Sequence, residues 1–418
     1  MSPDPKPSSA LLIGVFLTAQ IVSMLGSGSF PALLPLFVEE WGLSKTDAGW
    51  INGVYFAGYL CAVPVLVSLT DRVPPRRIYI LCVLVSAVSG FGFALFTDGF
   101  WSAIVFRTLG GIGIAGTYMP GLKLLNDHLE QASPDRDHSR ATAFYVSGFG
   151  LGMSLSYFVT DAVTEAFDWH WAFAVAGIGP LFAIGLIQLA LPTKDPELGL
   201  APATHLLDFR PVLRCRVAMA YVLAYAVHNF ELFALRSWLV AFLVFAAATH
   251  PGFTPPASAA TITGVAILLG PIGSILGNEM SRRVGRRQTV TFLMLTSTAV
   301  AFAFGFVADL DFRIVIAASI FYAVLVTADS ASITAGVIAA APTGYRGATM
   351  AVHSSIGFLG SFLGPVAFGV VLDLADPSGI GGSTMGSWIS AFVMSGVVVA
   401  LGPVALALLG RQPTKPSA

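Results

Sequence analysis

Residues 57–77 read AGYLCAVPVLVSLTDRVPPRR, an apolar run without a charge that ends in Asp71, Arg72, Arg76 and Arg77. The run closes a longer apolar segment, 48–70. As a helix, about 20 such residues cross the ~30 Å hydrocarbon core of a bilayer. The charged cluster then marks where the chain leaves the membrane. The same pattern recurs along the chain, at 11–38, 77–97, 100–126, 140–162 and 172–192. After a polar stretch it returns at 215–247, 261–281, 288–307, 312–340, 345–373 and 385–409. In lipid the backbone must satisfy its own hydrogen bonds, so these segments are predicted helices. Their internal glycines and prolines do not contradict that, because membrane-spanning helices tolerate both.

Composition agrees. Of 418 residues, 55% are hydrophobic and 11% charged, against about 25% charged in soluble proteins. The mean hydropathy is +0.78. These values exclude a soluble enzyme, a nucleic-acid-binding domain and a disordered scaffold. The net charge of −1 carries no basic signal for nucleic acid. Cys61, Cys82 and Cys215 are odd in number and widely spaced, so they read as small apolar residues rather than disulfides or zinc ligands. There is no Walker loop and no His/Asp/Glu cluster with metal-ligand spacing, so neither catalytic residues, a metal nor a cofactor is expected.

The basic residues set the orientation. With the N-terminus inside, all but Lys45, Arg107, Arg236 and Arg313 of the 22 Lys and Arg fall on the cytoplasmic side. That bias places both termini in the cytoplasm of a multi-pass protein of the cell (inner) membrane. Met1–Ala10 is short and polar, and the apolar run after it is longer than a signal-peptide core, so it reads as the first span. The chain also repeats itself. Asp71–Arg76 after span two parallels Arg282–Arg287 after span eight. Ala141-Thr142 and Ser147…Gly150 parallel Ala348-Thr349 and Ser354…Gly357, and Gly179-Pro180 echoes Gly402-Pro403. The expectation is an all-α membrane protein of 12 transmembrane helices in two pseudo-symmetric six-helix bundles, 1–192 and 215–418, joined by a cytoplasmic linker at 193–214.

Here the residues resemble the major facilitator superfamily of secondary transporters. The family's Gly-x3-Asp-Arg-x-Gly-Arg-Arg/Lys signature stands after span two as Val67-x3-Asp71-Arg72-x-Pro74-Pro75-Arg76. Its second-half counterpart keeps Gly285, Arg286 and Arg287, with Asn278 and Arg282 where Gly and Asp would stand. The span-four Arg-x3-Gly-x-Gly is intact as Arg107, Gly111 and Gly113, whereas Gly148-Phe-Gly-Leu-Gly152 lacks the Gly-Pro of the family's antiporters. The resemblance implies alternating access between two halves, with gating by Asp71, Arg72, Arg76 and Arg286. Asp71 is expected beside the N-terminal end of span eleven.

A charge inside a span costs roughly 2.5–3.5 kcal/mol on insertion scales, so it faces a cavity or a partner. Span seven projects Tyr221, Tyr225, His228 and Arg236 onto one side of a helix, with Asn229 and Glu231 nearby. Span ten carries Tyr322, Asp329 and Gly336, and span four Arg107, Gly111 and Tyr118 on one face. Two readings stand beside each other: a cavity wall that binds solute or carries a proton, or structural pairs and a snorkelling arginine. Gln20 in span one and Tyr59 in span two extend the polar surface as cavity wall or helix–helix contact. His353 in span eleven reads more simply as a packing residue, and Trp169-His170-Trp171 as an interfacial belt. Solute-binding residues are therefore expected among Arg107, Tyr118, Tyr225, His228, Asn229, Arg236, Tyr322, Gln20 and Tyr59. Asp329 and Glu231 are the expected proton carriers. Asp329 is preferred because its helix has no nearby base, and at least one of the two is expected to pair with Arg107 or Arg236. The function read from this is uptake of a small polar, anionic solute by a proton-coupled symporter, with proton-antiport efflux of drugs or metabolites as the alternative. Its partners are a small-molecule solute, protons and the lipid bilayer, not nucleic acid, and it is expected to act as a monomer.

Overall fold

The computed structural model describes residues 8–70, 72–133, 138–191, 208–376 and 384–410. Among them the regular structure is helical and no strand occurs. The first half contains α1 (Ser9–Ser23), α2 (Ser29–Ala32), α3 (Leu34–Glu40), α4 (Lys45–Leu69), α5 (Pro75–Phe96), α6 (Phe100–Ala132), α7 (Ser139–Ala166) and α8 (Trp169–Ala190). The second contains α9 (Arg210–Arg214), α10 (Arg216–Ala248), α11 (Ala259–Val284), α12 (Arg286–Phe304), α13 (Phe312–Thr327), α14 (Ser330–Ala340), α15 (Arg346–Ala375) and α16 (Met385–Leu409). Nine described segments are long and apolar enough to cross a bilayer alone, α13 and α14 counting together. The broken first segment, α6 and α7 complete the twelve spans.

Two compact units divide the chain. The first comprises Met1–Trp41, Val54–Thr204 and Ala260–Leu268; the second Gly42–Gly53, His205–Ala259 and Leu269–Ala418. In the first, α5 packs on α6 and α8, and α1 on α7 and α8. Its core includes Phe16, Tyr79, Val83, Leu125 and Tyr145. In the second, α10 packs on α15, α16, α14 and α13. Of the most apolar stretch of α10, 72% is buried, against half or less in the other eight of the nine apolar segments. Polar groups on α10 therefore meet protein on most sides. Its contact with α15 is a small-residue seam: a Cβ at Gly360 would collide with the Ala226 carbonyl, and one at Gly364 with that of Phe230.

Two of the expected continuous spans are broken. The first, read as 11–38, stops at Ser23 and restarts at Ser29. Gly26, Ser27 and Gly28 supply little helix propensity, and the freed backbone groups find partners elsewhere. Ser156 Oγ donates to the Leu25 carbonyl and accepts from the Gly28 N–H at 2.9 Å. Ser27 Oγ donates to Met24 O at 2.6 Å and Ser29 Oγ to Leu25 O at 3.1 Å. Gly28 is required by close approach, since a Cβ there would meet the Tyr157 ring at 2.6 Å. The tenth span, read as 312–340, breaks between Thr327 and Ser330. There Thr327 Oγ1 donates to Gly270 O on α11 at 2.7 Å, and Ser332 Oγ donates to Gly277 O at 3.3 Å.

Two helix starts share one device. In the second unit, the Asp373 carboxylate accepts from the backbone N–H groups of Lys45 and Thr46 and, at 2.6 Å, from Thr46 Oγ1. In the first unit, Asp161 accepts from Thr261 Oγ1 at 2.6 Å. Each carboxylate sits at the N-terminal end of a membrane helix, α4 or α11, where the helix dipole favours negative charge. Trp169 departs from the expected interfacial belt. It is 6% exposed and packs edge-on to Phe37, with centroids 5.2 Å apart, while Trp171 stays 58% exposed.

Candidate functional site

The second unit gathers most of the polar residues of spans seven and ten. Nδ1 of His228 on α10 lies 2.7 Å from Oδ1 of Asp329, which occupies the position before α14. Both are buried, and the Asp329 side chain makes no capping bond to α14. One turn along α10, Glu231 Oε1 accepts from Tyr322 Oη at 2.7 Å and from Ser297 Oγ at 2.8 Å. Two buried carboxyls thus share one helix bundle. One is paired with an imidazole; the other is held by two hydroxyls.

This distribution differs from the helical projection. The projection leaves Asp329 alone or paired with an arginine, yet its partner is His228. Tyr322, Asp329 and Gly336 nonetheless keep the shared face expected of them, all three meeting α10: Tyr322 at Glu231, Asp329 at His228 and Gly336 against the Tyr221 ring. His353 also has a larger place than a packing residue. Its ring stacks on Tyr225 with centroids 3.9 Å apart, and Nε2 lies 3.4 Å from Thr334 Oγ1. Tyr225 in turn stacks on His228 at 5.7 Å. Asn229 is buried at the same α10–α15 seam, where a Cβ at Gly357 would meet the Tyr225 ring and Asn229 Nδ2. Arg236 is half-buried with its guanidinium 5.4 Å from the Phe233 centroid. Sequence reasoning missed Ser297 and Thr334, single hydroxyl residues in apolar helices that carry no periodic signal.

The first unit arranges its candidates differently. Arg107 is 3% exposed and donates through Nη1 to Gly26 O at 3.1 Å and through Nη2 to Ser27 O at 3.5 Å. Its guanidinium lies 4.3 Å from the Tyr55 ring centroid. Arg107 therefore satisfies the carbonyls freed by the break in the first span, and among the described residues it forms no ion pair with a carboxylate. The snorkelling alternative does not hold, because the side chain is enclosed. Tyr118 does not share its surroundings; it stacks on Tyr145 and meets Phe149 edge-on, both on α7. Tyr145 Oη donates to Thr117 O at 2.6 Å and lies 3.0 Å from Gln20 Oε1. Tyr59 is buried on α4, along the face that Gly111 approaches.

Of the expected gating residues, Asp71 lies outside the described residues, so its expected place beside span eleven does too. Arg72 is exposed. Arg76 is buried, and its Nη2 donates to Gln188 Oε1 on α8 at 2.6 Å. In the second unit Gly285 adopts φ 105°, a backbone region that favours glycine, and so lets Arg286 open α12 directly after α11. Arg282 and Arg283 pair with Glu279 one turn back. Among the described residues no three His, Cys, Asp or Glu side chains cluster as metal ligands.

Twelve membrane spans in a repeated arrangement, with buried ionisable groups on α6, α10 and α15 and at the break in the tenth span, define a polytopic membrane transporter fold. The chain belongs to the Major Facilitator Superfamily, whose profile matches residues 16–365. It is 23% identical over 174 residues to the niacin transporter NiaP of Acinetobacter baylyi, covering 42% of this chain and 38% of that protein. It is 27% identical over 161 residues to the 4-hydroxybenzoate transporter PcaK of the same organism, covering 38% of this chain and 34% of that protein. The matches thus span well under two thirds of either relative's length. The fold is similar to the crystal structure of the nucleoside transporter NupG, with a TM-score of 0.78 at 13% identity over 96% of this chain and all of that one.

Proposed function

We propose that the protein is a secondary transporter that moves a small organic anion across the cell (inner) membrane, coupled to protons and in the direction of uptake. The observation that carries this reading is the pair of buried carboxyls in the second unit, Asp329 against His228 and Glu231 against Tyr322 and Ser297. Ionisable groups inside a membrane bundle mark ion or proton pathways. In the proposed cycle, a proton arriving at Asp329 discharges its pair with His228 and loosens α10 from the break between α13 and α14. Loss of that proton restores the pair. Tyr225, His228, Asn229, Tyr322 and Arg236 offer the solute aromatic faces, hydrogen bonds and a positive charge, and Gln20, Tyr59, Arg107 and Tyr118 are the candidates from the first unit. Arg72, Arg76, Arg286 and Asp71 are proposed to gate access from the cytoplasm. The protein is proposed to act as a monomer of two six-helix bundles, 1–192 and 215–418, with the linker 193–214 and both termini cytoplasmic.

Niacin and 4-hydroxybenzoate, the solutes in the relatives' names, are aromatic monocarboxylates, which makes that class the first to test. Purified protein in proteoliposomes should accumulate one such carboxylate when the outside is made acid. A protonophore should abolish the accumulation while leaving exchange of labelled for unlabelled solute. Acid-driven export of lipophilic cations with no carboxylate uptake would replace this reading with efflux.

A further inference from the structure

The first unit contains a cavity of about 30 Å³ between α1, α4, α5, α6 and α8, lined by Ser23, Tyr55, Ser86, Ser89 and Arg107 among others. On the same scale a single water needs roughly 10–15 Å³. The cavity therefore has room for a monatomic ion or a pair of waters. Its polar lining is one guanidinium and serine hydroxyls, all of which can donate to an anion. Arg107 directs Nη1 and Nη2 to the Gly26 and Ser27 carbonyls, but its Nε–H has no partner. The hydroxyl of Ser86 also has none, whereas Ser23 meets the Tyr79 hydroxyl and Ser89 Oγ donates to Phe106 O at 2.7 Å. Arg107, Ser23 and Ser86 are each more than nine-tenths buried.

Charge decides between water and an anion. A guanidinium this deeply enclosed is costly unless an opposite charge compensates it, and no carboxylate pairs with it among the described residues. The Tyr55 face and two carbonyls supply partial negative charge only. A water would find both donors and acceptors here, since the serine oxygens also accept, but it would leave the guanidinium charge uncompensated. A halide accepts from every side and cancels the charge.

We infer that this cavity binds chloride, held by Arg107, Ser86 and Ser23, as an internal counterion of the first unit. The bound ion braces the break between α1 and α2 through Arg107. With Arg107 engaged by the ion, Gln20, Tyr59 and Tyr118 remain the first unit's solute-binding candidates.

The test is thermal unfolding of the purified full-length protein, titrated with sodium chloride in place of sodium gluconate at constant ionic strength. Wild type should show a saturable rise in Tm with chloride and with bromide. Ser86→Ala should shift the half-saturating concentration upward about tenfold, the worth of one hydrogen bond to a charged group. Arg107→Gln should abolish the response; should that variant fail to fold, Ser86→Ala still decides. Crystals grown in bromide should show an anomalous peak beside Arg107. Equal Tm values in chloride and gluconate, a Ser86→Ala titration identical to wild type, or ordered waters in place of an anomalous peak would each overturn the assignment.

Discussion

His228 Nδ1 and Asp329 Oδ1 stand 2.7 Å apart, one in the middle of a continuous helix and the other at the point where the tenth span breaks. The first unit pairs the corresponding spans in the opposite sense. There Arg107 of span four reaches the break in span one. In each repeat, then, an ionisable side chain meets the unwound turn of a partner helix, where free backbone groups and charge stabilise one another.

The His228–Asp329 contact should behave as a coupled pair. Removing one member of a buried ion pair leaves the other uncompensated, which costs about 3–5 kcal/mol. His228→Ala should therefore destabilise more than the double variant His228→Ala/Asp329→Asn. The double-mutant cycle should give a coupling of roughly 1–3 kcal/mol in thermal unfolding. Additive effects would show that the contact carries no energy.

The two carboxyls should separate in function. Asp329→Asn should abolish proton-driven accumulation yet leave solute exchange measurable. Glu231→Gln keeps a group that can accept from Tyr322 and Ser297, and should retain accumulation at a reduced rate. If Glu231→Gln loses accumulation and Asp329→Asn does not, the coupling role moves to Glu231.

Glycines in this protein differ sharply in what they tolerate. Gly360→Val would drive a side chain into the Ala226 carbonyl at the α10–α15 seam and should cost at least about 1–3 kcal/mol, read as a lower Tm or loss of folded protein. A Cβ added at Gly14 on α1 would have nothing within 4 Å, so Gly14→Ala should be neutral or stabilising by about 0.5–1 kcal/mol.

The carboxylates at the starts of α4 and α11 should matter alike. Asp373→Ala removes three accepted hydrogen bonds from Lys45 and Thr46, and Asp161→Ala removes the bond from Thr261. Each should lower stability by about 0.5–2 kcal/mol, the usual range for a lost N-terminal cap, read as a fall in Tm. Asp47 caps only its own turn through Ser44, so Asp47→Ala is the control and should lower Tm less than Asp373→Ala.

Orientation can be checked by labelling single cysteines in a variant without Cys61, Cys82 and Cys215. Asp98→Cys should react with an impermeant maleimide added outside cells. Arg283→Cys should react only after permeabilisation. The reverse pattern would invert the topology.

Twelve membrane-crossing helices were legible without any coordinates, because twenty-residue apolar runs in lipid admit no other backbone arrangement. Arg107, His228, Glu231 and Asp329 were legible too, since charge inside an apolar run stands out before any contact is known. Where those side chains find partners was another matter. Helical projection gives the face a side chain takes, and Tyr322, Asp329 and Gly336 do share the face packed on α10, but it names neither the helix opposite nor the side chain waiting there. Packing alone brings Asp329 to His228, turns Arg107 to carbonyls instead of a carboxylate, and sets Ser297 against Glu231 and Ser156 against the first break. A hydroxyl in an apolar helix costs little and leaves no pattern in the sequence. Its meaning comes from the helix packed against it.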